Sequence, residues 1–172
     1  METLEIKLTK YEQRDRDKIT KWIAEFYGFH ASLISGKSVL SEGAYEEAKE
    51  ILEDWLAPNH ELYIINKGQE KAGFLHLDYR GDIVAWIEDL FVDTKFRGQK
   101  IATTAIRMAE EIIKSKSGYT AVCMDVAPRN KAAVKLYHKL GYDSLSLVTV
   151  RKEFYENKRD RVEEILGLDF KI

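Results

Sequence analysis

Leu4 to Leu8 alternates apolar and polar residues, the period-two pattern of a half-buried strand. From Asp15 to Phe29 the period changes: Ile19, Trp22, Ile23 and Phe26 share one face of a helix. Gly28 to Gly43 has no clean period and reads as a loop or a broken helix. Helical spacing returns from Tyr45 to Leu56 through Ala48, Ile51, Leu52 and Trp55, and stops before Pro58. Three strand-like runs follow, Leu62 to Ile65, Lys71 to Tyr79 and Ile83 to Val92. They are separated by Asn66-Lys67-Gly68-Gln69 and Arg80-Gly81-Asp82, and such short connections predict an antiparallel meander. Ala102, Ala105, Ile106, Ala109, Ile112 and Ile113 then trace a helix face. Tyr119 to Val126 reads as a strand and Lys131 to Leu140 as a helix closed by Gly141. Beyond it we expect a strand over Ser144 to Val150, a helix over Lys158 to Leu166 and an edge strand over Leu168 to Ile172. The strand–helix–strand–helix order from Ile83 to Leu140 predicts an α/β sheet whose strands ending near Val92 and Val126 diverge around a ligand crevice.

Composition changes this picture only in part. A chain of 172 residues with no repeat and no linker-like tract fits a single domain over residues 1–172. The 27 basic and 29 acidic side chains leave a net charge of −2, which gives no bulk electrostatic reason to expect nucleic acid or an anionic membrane. No run approaches the ~20 apolar residues that span a bilayer. Met1-Glu2-Thr3 opens no basic segment leading into an apolar one, so the expectation is a cytoplasmic protein. Cys123 is the only cysteine and lies in a strand-like run, where a buried thiol is expected; an internal disulfide and a cysteine-rich metal site are excluded. The four histidines, His30, His60, His76 and His138, form no short ligand motif, and no metal is expected.

The chemistry concentrates in Phe96-Arg97-Gly98-Gln99-Lys100-Ile101-Ala102-Thr103, between a strand and a long amphipathic helix. First-turn amides of a helix lack intrahelical partners, and the helix dipole favours an anion there. Gly98 permits a tight backbone, and Arg97 and Lys100 add positive charge. The same residues also fit a plain helix start carrying a solvated basic pair. Walker-type and three-glycine dinucleotide motifs do not fit.

Arg97-Gly98-Gln99-Lys100-Ile101-Ala102 resembles the Arg/Gln-x-x-Gly-x-Gly/Ala cofactor motif of the Gcn5-related N-acetyltransferase (GNAT) superfamily, with Lys100 standing at the first motif glycine. Asn130 through Tyr142 resembles the family's Asn-x-x-Ala-x-x-Leu-Tyr-x-x-x-Gly-Phe/Tyr signature, and Ile87 to Asp93 its fourth strand. The resemblance implies a GNAT-like acyl-CoA N-acyltransferase fold, an α/β arrangement with a mixed central sheet flanked by helices. It implies acetyl-CoA as acyl donor, with pantetheine along the main chain of Leu90, Phe91 and Val92 and pyrophosphate at the amides of Gly98, Gln99, Lys100, Ile101, Ala102 and Thr103, assisted by Arg97. Asn130 would contact pantetheine, although it is equally a suitable helix N-cap. Tyr137 would donate a proton to the departing thiolate, against the alternative of helix packing. Glu88 would accept or relay the amine proton. Strict alternation puts Glu88 and Asp89 on opposite strand faces, and a bulge would exchange their roles.

The acceptor implied is a small-molecule amine. Trp22, Tyr27, His30, Tyr45 and Trp55 are candidates for its pocket and Glu42, Glu46 and Glu47 for cation attraction, while helix packing and solvated surface remain the plainer readings. A protein or peptide amine and a non-catalytic acyl-CoA-binding module are the alternatives. The terminal edge strand near Leu168 is a candidate for pairing in a homodimer.

Overall fold

The computed structural model describes residues 5–35, 40–155, 159 and 161–172. They fall into two compact units, Met1–Gly28 with Leu40–Asp125, and Phe29–Val39 with Val126–Ile172.

The first unit is built on a five-stranded sheet in the order β1-β2-β3-β4-β5: β1 Ile6–Lys10, β2 His60–Lys67, β3 Glu70–Asp78, β4 Val84–Val92 and β5 Ala121–Cys123. The first four strands are antiparallel neighbours, the meander expected from the short connections, and β5 adds in parallel. The β2–β3 hairpin turns through Gly68 and Gln69, with Gly68 at φ 59°, a conformation glycine takes without a Cβ clash. Parallel β5 needs a crossover, supplied by α3 Ile101–Lys114.

Two helices cover one part of the sheet, α1 Arg16–Ser35 and α2 Ala44–Trp55. Ile19, Trp22 and Ile23 of α1 and Ala48, Leu52 and Trp55 of α2 bury against Leu62, Ile64, Phe74 and Phe91. Aromatic rings organise this core: Trp22 lies 5.9 Å from Phe91, Phe91 5.6 Å from Phe74, and Phe74 5.3 Å from Trp55. Helix α3 turns Ile101, Ala105, Ile106, Ala109 and Ile113 inward and packs on β1 and β4. Every residue of β3 from Ala72 to Asp78 is buried, as a central strand covered on both faces must be.

The second unit holds the last residues of α1, helix α4 Lys131–Leu140 and a hairpin of β6 Val162–Ile165 with β7 Leu168–Lys171. The stretch after Gly28, expected as a loop or a broken helix, continues as helix to Ser35; Gly36 to Val39 lie outside the described residues. Two expectations are corrected. Ser144 to Val150 forms no strand: Leu145 and Leu147 are exposed, and alternation makes a strand only where a neighbour supplies the ladder bonds. The run read as a helix before Leu166 is strand β6, with Lys158 outside the described residues. Leu166 at φ 55° and Gly167 at φ 76° form a two-residue turn of the kind that closes hairpins, and this turn outweighs the helical spacing of Val162 and Ile165.

Candidate active site

The pairing of β3 with β4 slips between His76 and Leu77. His76 faces Asp89 and Leu77 faces Ile87, so Glu88 is an extra residue in β4. A bulge re-aims the side chains around it, and the strict alternation expected here is broken. The Tyr27 phenol of α1, on a side chain that is exposed as a whole, is pushed up to about 12, first by partial desolvation of the hydroxyl end and then by the charges of Asp89 and Glu88. Asp89 is buried, with Oδ2 2.8 Å from Nδ1 of His76. Glu88 Oε2 lies 2.9 Å from Nη2 of Arg80, an ion pair whose angle makes no hydrogen bond; the oxygen is buried without an aligned donor. Arg80 also pairs with Asp78 at 3.2 Å and lies over the Trp86 ring at 4.3 Å.

Beyond the bulge the sheet opens. Strand β5 pairs with β4 through Val84↔Ala121, Ala85↔Val122 and Trp86↔Cys123, and the parallel ladder ends there, leaving Ile87 to Val92 paired with β3 alone. Leu90 and Val92 are half-buried, and Phe91 is buried in the aromatic core, so any ligand contact of Phe91 is through its main chain. The Val92 carbonyl already accepts from Arg97 Nε at 3.0 Å, which anchors that side chain at the strand's end.

A single 3₁₀ turn, Thr94–Phe96, connects this end to α3, with the Asp93 side chain accepting from the Lys95 amide and Phe96 buried. Arg97, Gly98, Gln99 and Lys100 are exposed. Gln99 accepts from Lys67 Nζ and donates to the Lys95 carbonyl, which pins the loop. Ile101 is buried as a packing anchor; Ala102 and Thr103 are half-buried. Lys100 occupies the N-cap of α3 without a side-chain cap, and the amides of Ile101 to Thr103 therefore point out of the helix with no capping side chain. Lys100 sits at φ 60° and ψ 14°, the left-handed region. That conformation accounts for a motif glycine at this position, and a lysine holds it at a cost of about 1 kcal/mol. Lys100→Gly is accordingly expected to raise unfolding free energy by about that amount in urea melts; an unchanged midpoint would count against backbone strain there.

The second unit carries the other two candidates. Asn130 caps α4, its side chain accepting from the Ala133 amide at 3.2 Å. Gly141 at φ 99° ends the helix, with the Tyr142 amide bonding back to the Tyr137 carbonyl at 3.1 Å. Tyr137 is half-buried, with its ring 6.2 Å from that of Tyr142, and burial pushes its phenol above the ordinary 10.0. The group stays protonated, hence a donor, throughout the neutral range. His138 is exposed on α4.

Trp22 and Trp55, weighed as pocket residues, are buried in the core of the first unit, and Trp22 donates to Asp93 Oδ2 at 3.3 Å. Tyr27 and Tyr45 are exposed, as are Glu42, Glu46 and Glu47. Sequence reasoning missed Gly73, His60 and His76. Gly73 carries the close approach of β3 to β4. The two histidines meet because the hairpin register sets His60 against Asp78 and Leu62 against His76. That register was the available signal. Among the described residues no group of three or more His, Cys, Asp or Glu side chains is arranged to hold a metal ion.

The fold is that of a mixed-sheet α/β protein with helices flanking the sheet. The sequence profile of the Acetyltransferase (GNAT) family matches residues 17–142, and the chain belongs to that family. A curated relative, an uncharacterised N-acetyltransferase of Methanocaldococcus jannaschii, is 40% identical over 65 residues, a stretch that spans 38% of this chain and 28% of the relative's length. Among solved structures, the putative acetyltransferase YycN of Bacillus subtilis superposes with a TM-score of 0.67 at 20% identity, over 88% of this chain and 100% of that one. An aminoglycoside acetyltransferase from an uncultured soil metagenomic sample, in complex with sisomicin, gives 0.61 at 17% identity, over 88% of this chain and 97% of that one. At such identities the superpositions establish the fold alone.

Proposed function

We propose that the chain transfers an acetyl group from acetyl-CoA to a primary amine of a small molecule. The observation that carries this reading is the stretch Ile87 to Val92, which β5 leaves unpaired next to the uncapped amides of α3. An amide-bearing pantetheine can add to such a strand edge as a partial strand. A pyrophosphate suits helix amides flanked by Arg97 and Lys100. In this reading Leu90, Phe91 and Val92 contribute main chain, Gly98 to Thr103 contribute amides, and Asn130 adds a contact from the start of α4. The acidic surroundings of the bulge, where Glu88, Asp89 and Asp78 outnumber Arg80, favour a cationic acceptor, and the sisomicin-bound neighbour shares the fold.

The chemistry is direct transfer. The amine loses a proton at the bulge, where Glu88 meets the ammonium. Its lone pair attacks the thioester carbonyl, a main-chain amide near Leu90 to Val92 steadies the oxyanion, and Tyr137 protonates the leaving thiolate. Acetyl-CoA turnover against a mixed panel of amines and peptides, with products identified by mass, tests the reading. Acetylated small amines are expected. Exclusive modification of peptides would move the assignment to a peptide acceptor, and CoA binding with no product from any acceptor would make the chain a binding module.

Arg97→Ala is expected to weaken CoA binding about tenfold or more in calorimetry, the scale of a hydrogen bond to a charged group, with transfer from bound acetyl-CoA little changed. Arg97→Lys keeps the charge and should fall in between. Unchanged affinity in a folded Ala variant would remove Arg97 from the cofactor site. Lys100→Gly retains the backbone geometry and loses a cation at the helix start, so a several-fold weaker CoA affinity is expected beside its gain in stability.

A further inference from the structure

Asp89 does not stand alone in the first unit. Its Oδ2 lies 2.8 Å from His76 Nδ1, and His76 Nε2 lies 2.9 Å from His60 Nδ1, so the three side chains form a continuous line of hydrogen bonds from β4 through β3 to β2. His76 is 1% exposed, with the Trp55 ring stacked on it at 4.4 Å and the ring of its hydrogen-bond partner His60 centred 5.0 Å away. Neither ring nitrogen of His76 meets water. Such a line is ordered in position and in proton placement.

The contacts constrain the protons. Each of the two short gaps holds one hydrogen, since two lone pairs or two N–H groups facing each other would repel. With Asp89 ionised, Nδ1 of His76 is the donor to Oδ2. His60 Nδ1 then donates to Nε2 of a neutral His76 and so selects the His76 tautomer. Oδ2 of Asp89 is committed, and Oδ1 is left to act. Glu88, the neighbouring carboxylate, is held differently: its Oε2 faces the guanidinium of Arg80 at 2.9 Å, and the same guanidinium also pairs with Asp78, so Glu88 is already engaged in a surface charge cluster.

We propose that Asp89 receives the proton of the acceptor ammonium, with His76 as its positioning residue and His60 as the group that sets the His76 tautomer. This rests on the acetyltransferase reading and divides the labour at the bulge: Glu88, paired with Arg80, holds the ammonium, and Asp89 deprotonates it. In the step, an N–H bond of the ammonium breaks and its electron pair stays on nitrogen as the nucleophile. The proton, directly or through one water, forms an O–H bond on Oδ1, while Oδ2 remains the acceptor of the His76 N–H. Asp89 returns the proton to solvent after the amide product leaves.

Charged and titratable groups from several elements surround this line. The charges of Asp89 and Glu88 both act on the Tyr27 phenol of α1, helix α2 stacks the Trp55 ring on His76, and Asp78 lies 3.9 Å from His60 and pairs with Arg80. His60 also borders a surface hollow of about 160 Å³ beside Lys10, Tyr11 and Glu61, which gives it access to solvent protons.

The test compares the full-length wild type with Asp89→Asn, Glu88→Gln, His76→Phe and His60→Gln, using acetyl-CoA and the best acceptor of the amine panel. Asp89→Asn is expected to lose roughly 100- to 10,000-fold in kcat with CoA affinity retained, the range of general base catalysis. Glu88→Gln should chiefly raise the acceptor KM. His76→Phe keeps a ring on Trp55, should lose about 10- to 100-fold in kcat, and should erase the downfield imidazole N–H resonance that pairs with Asp89. His60→Gln lies at a partly exposed position and tests the line even where His76→Phe does not fold; the downfield His76 N–H resonance should shift as its partner at Nε2 changes. Loss of kcat in Glu88→Gln with none in Asp89→Asn overturns the proposal. So does an unaltered His76 N–H resonance in His60→Gln. A wild type that acetylates nothing defeats the acetyltransferase reading itself, whereas an active wild type with an equally active Asp89→Asn defeats this inference alone.

Discussion

Replacing Tyr137 by phenylalanine is expected to slow acetyl transfer from saturating acetyl-CoA by roughly 10- to 1,000-fold while CoA affinity stays near that of the wild type. The hydroxyl is the only group lost, so ring packing beside Tyr142 is kept and the stability of α4 should barely change. A donor to the thiolate is useful only in the transition state, where charge develops on sulfur, so the loss falls on kcat rather than on cofactor binding. The pH dependence carries a second signature. Burial raises the phenol above 10.0, which keeps it protonated to more alkaline pH than a free tyrosine. The donor-dependent part of the rate should therefore persist through pH 10.0 and decline only above it, and the Phe variant should lack that limb. In stability terms the sign is the same: the buried neutral phenol costs nothing below the unfolded value of 10.0, and its contribution is lost as pH rises from there through the raised folded value. Single-turnover rates in a folded, cofactor-saturated Tyr137→Phe equal to wild type, with chemistry rate-limiting, would return Tyr137 to a packing role.

Features encoded within one element were readable along the chain. Helix α4 runs from Lys131 to Leu140 as expected because its cap at Asn130 and its stop at Gly141 are local chemistry. Helix α3 was legible through the spacing of Ala102 to Ile113, and the meander through its turn residues. What could not be read was set by pairing between elements. Alternation within β4 assigns Glu88 and Asp89 to opposite faces, but the slip between His76 and Leu77 of β3 decides where each points. His60 and His76 look unrelated in sequence and become neighbours only through the β2–β3 register. At Lys100 the residue type argues against a left-handed backbone, and the loop imposes it through the buried anchors Phe96 and Ile101. The hairpin ending in β7 was misread upstream of Leu166 because Val162 and Ile165 satisfy helical spacing, while the turn at Leu166 and Gly167 governs.

Gly73→Ala is expected to disrupt the strand that carries the candidate site, although the residue touches no ligand in the proposed mechanism. Gly73 lies in β3 opposite Val92, fully within the buried run, and its φ is not positive, so freedom of conformation is not the reason for glycine. Space is. A Cβ built there collides with the Phe91 carbonyl oxygen and comes within 3.0 Å of the Phe91 carbonyl carbon and 3.1 Å of Val92 Cα. All three obstacles are backbone atoms, and none can rotate away as a side-chain tip would. Relief therefore requires β3 and β4 to part at Phe91 and Val92, whose main chain is proposed to meet pantetheine. It would also lift the Phe91 ring from Trp22 and Phe74. Overpacking of this kind costs about 1–3 kcal/mol where a core can adjust, and more where backbone must move. The expected result is a lowered denaturation midpoint of at least that size, and in any folded fraction a CoA affinity reduced beyond that of Arg97→Ala. Thermal and urea melts with calorimetry on the same preparation decide it. A Gly73→Ala protein as stable as wild type would mean that the strands approach less closely than this register requires.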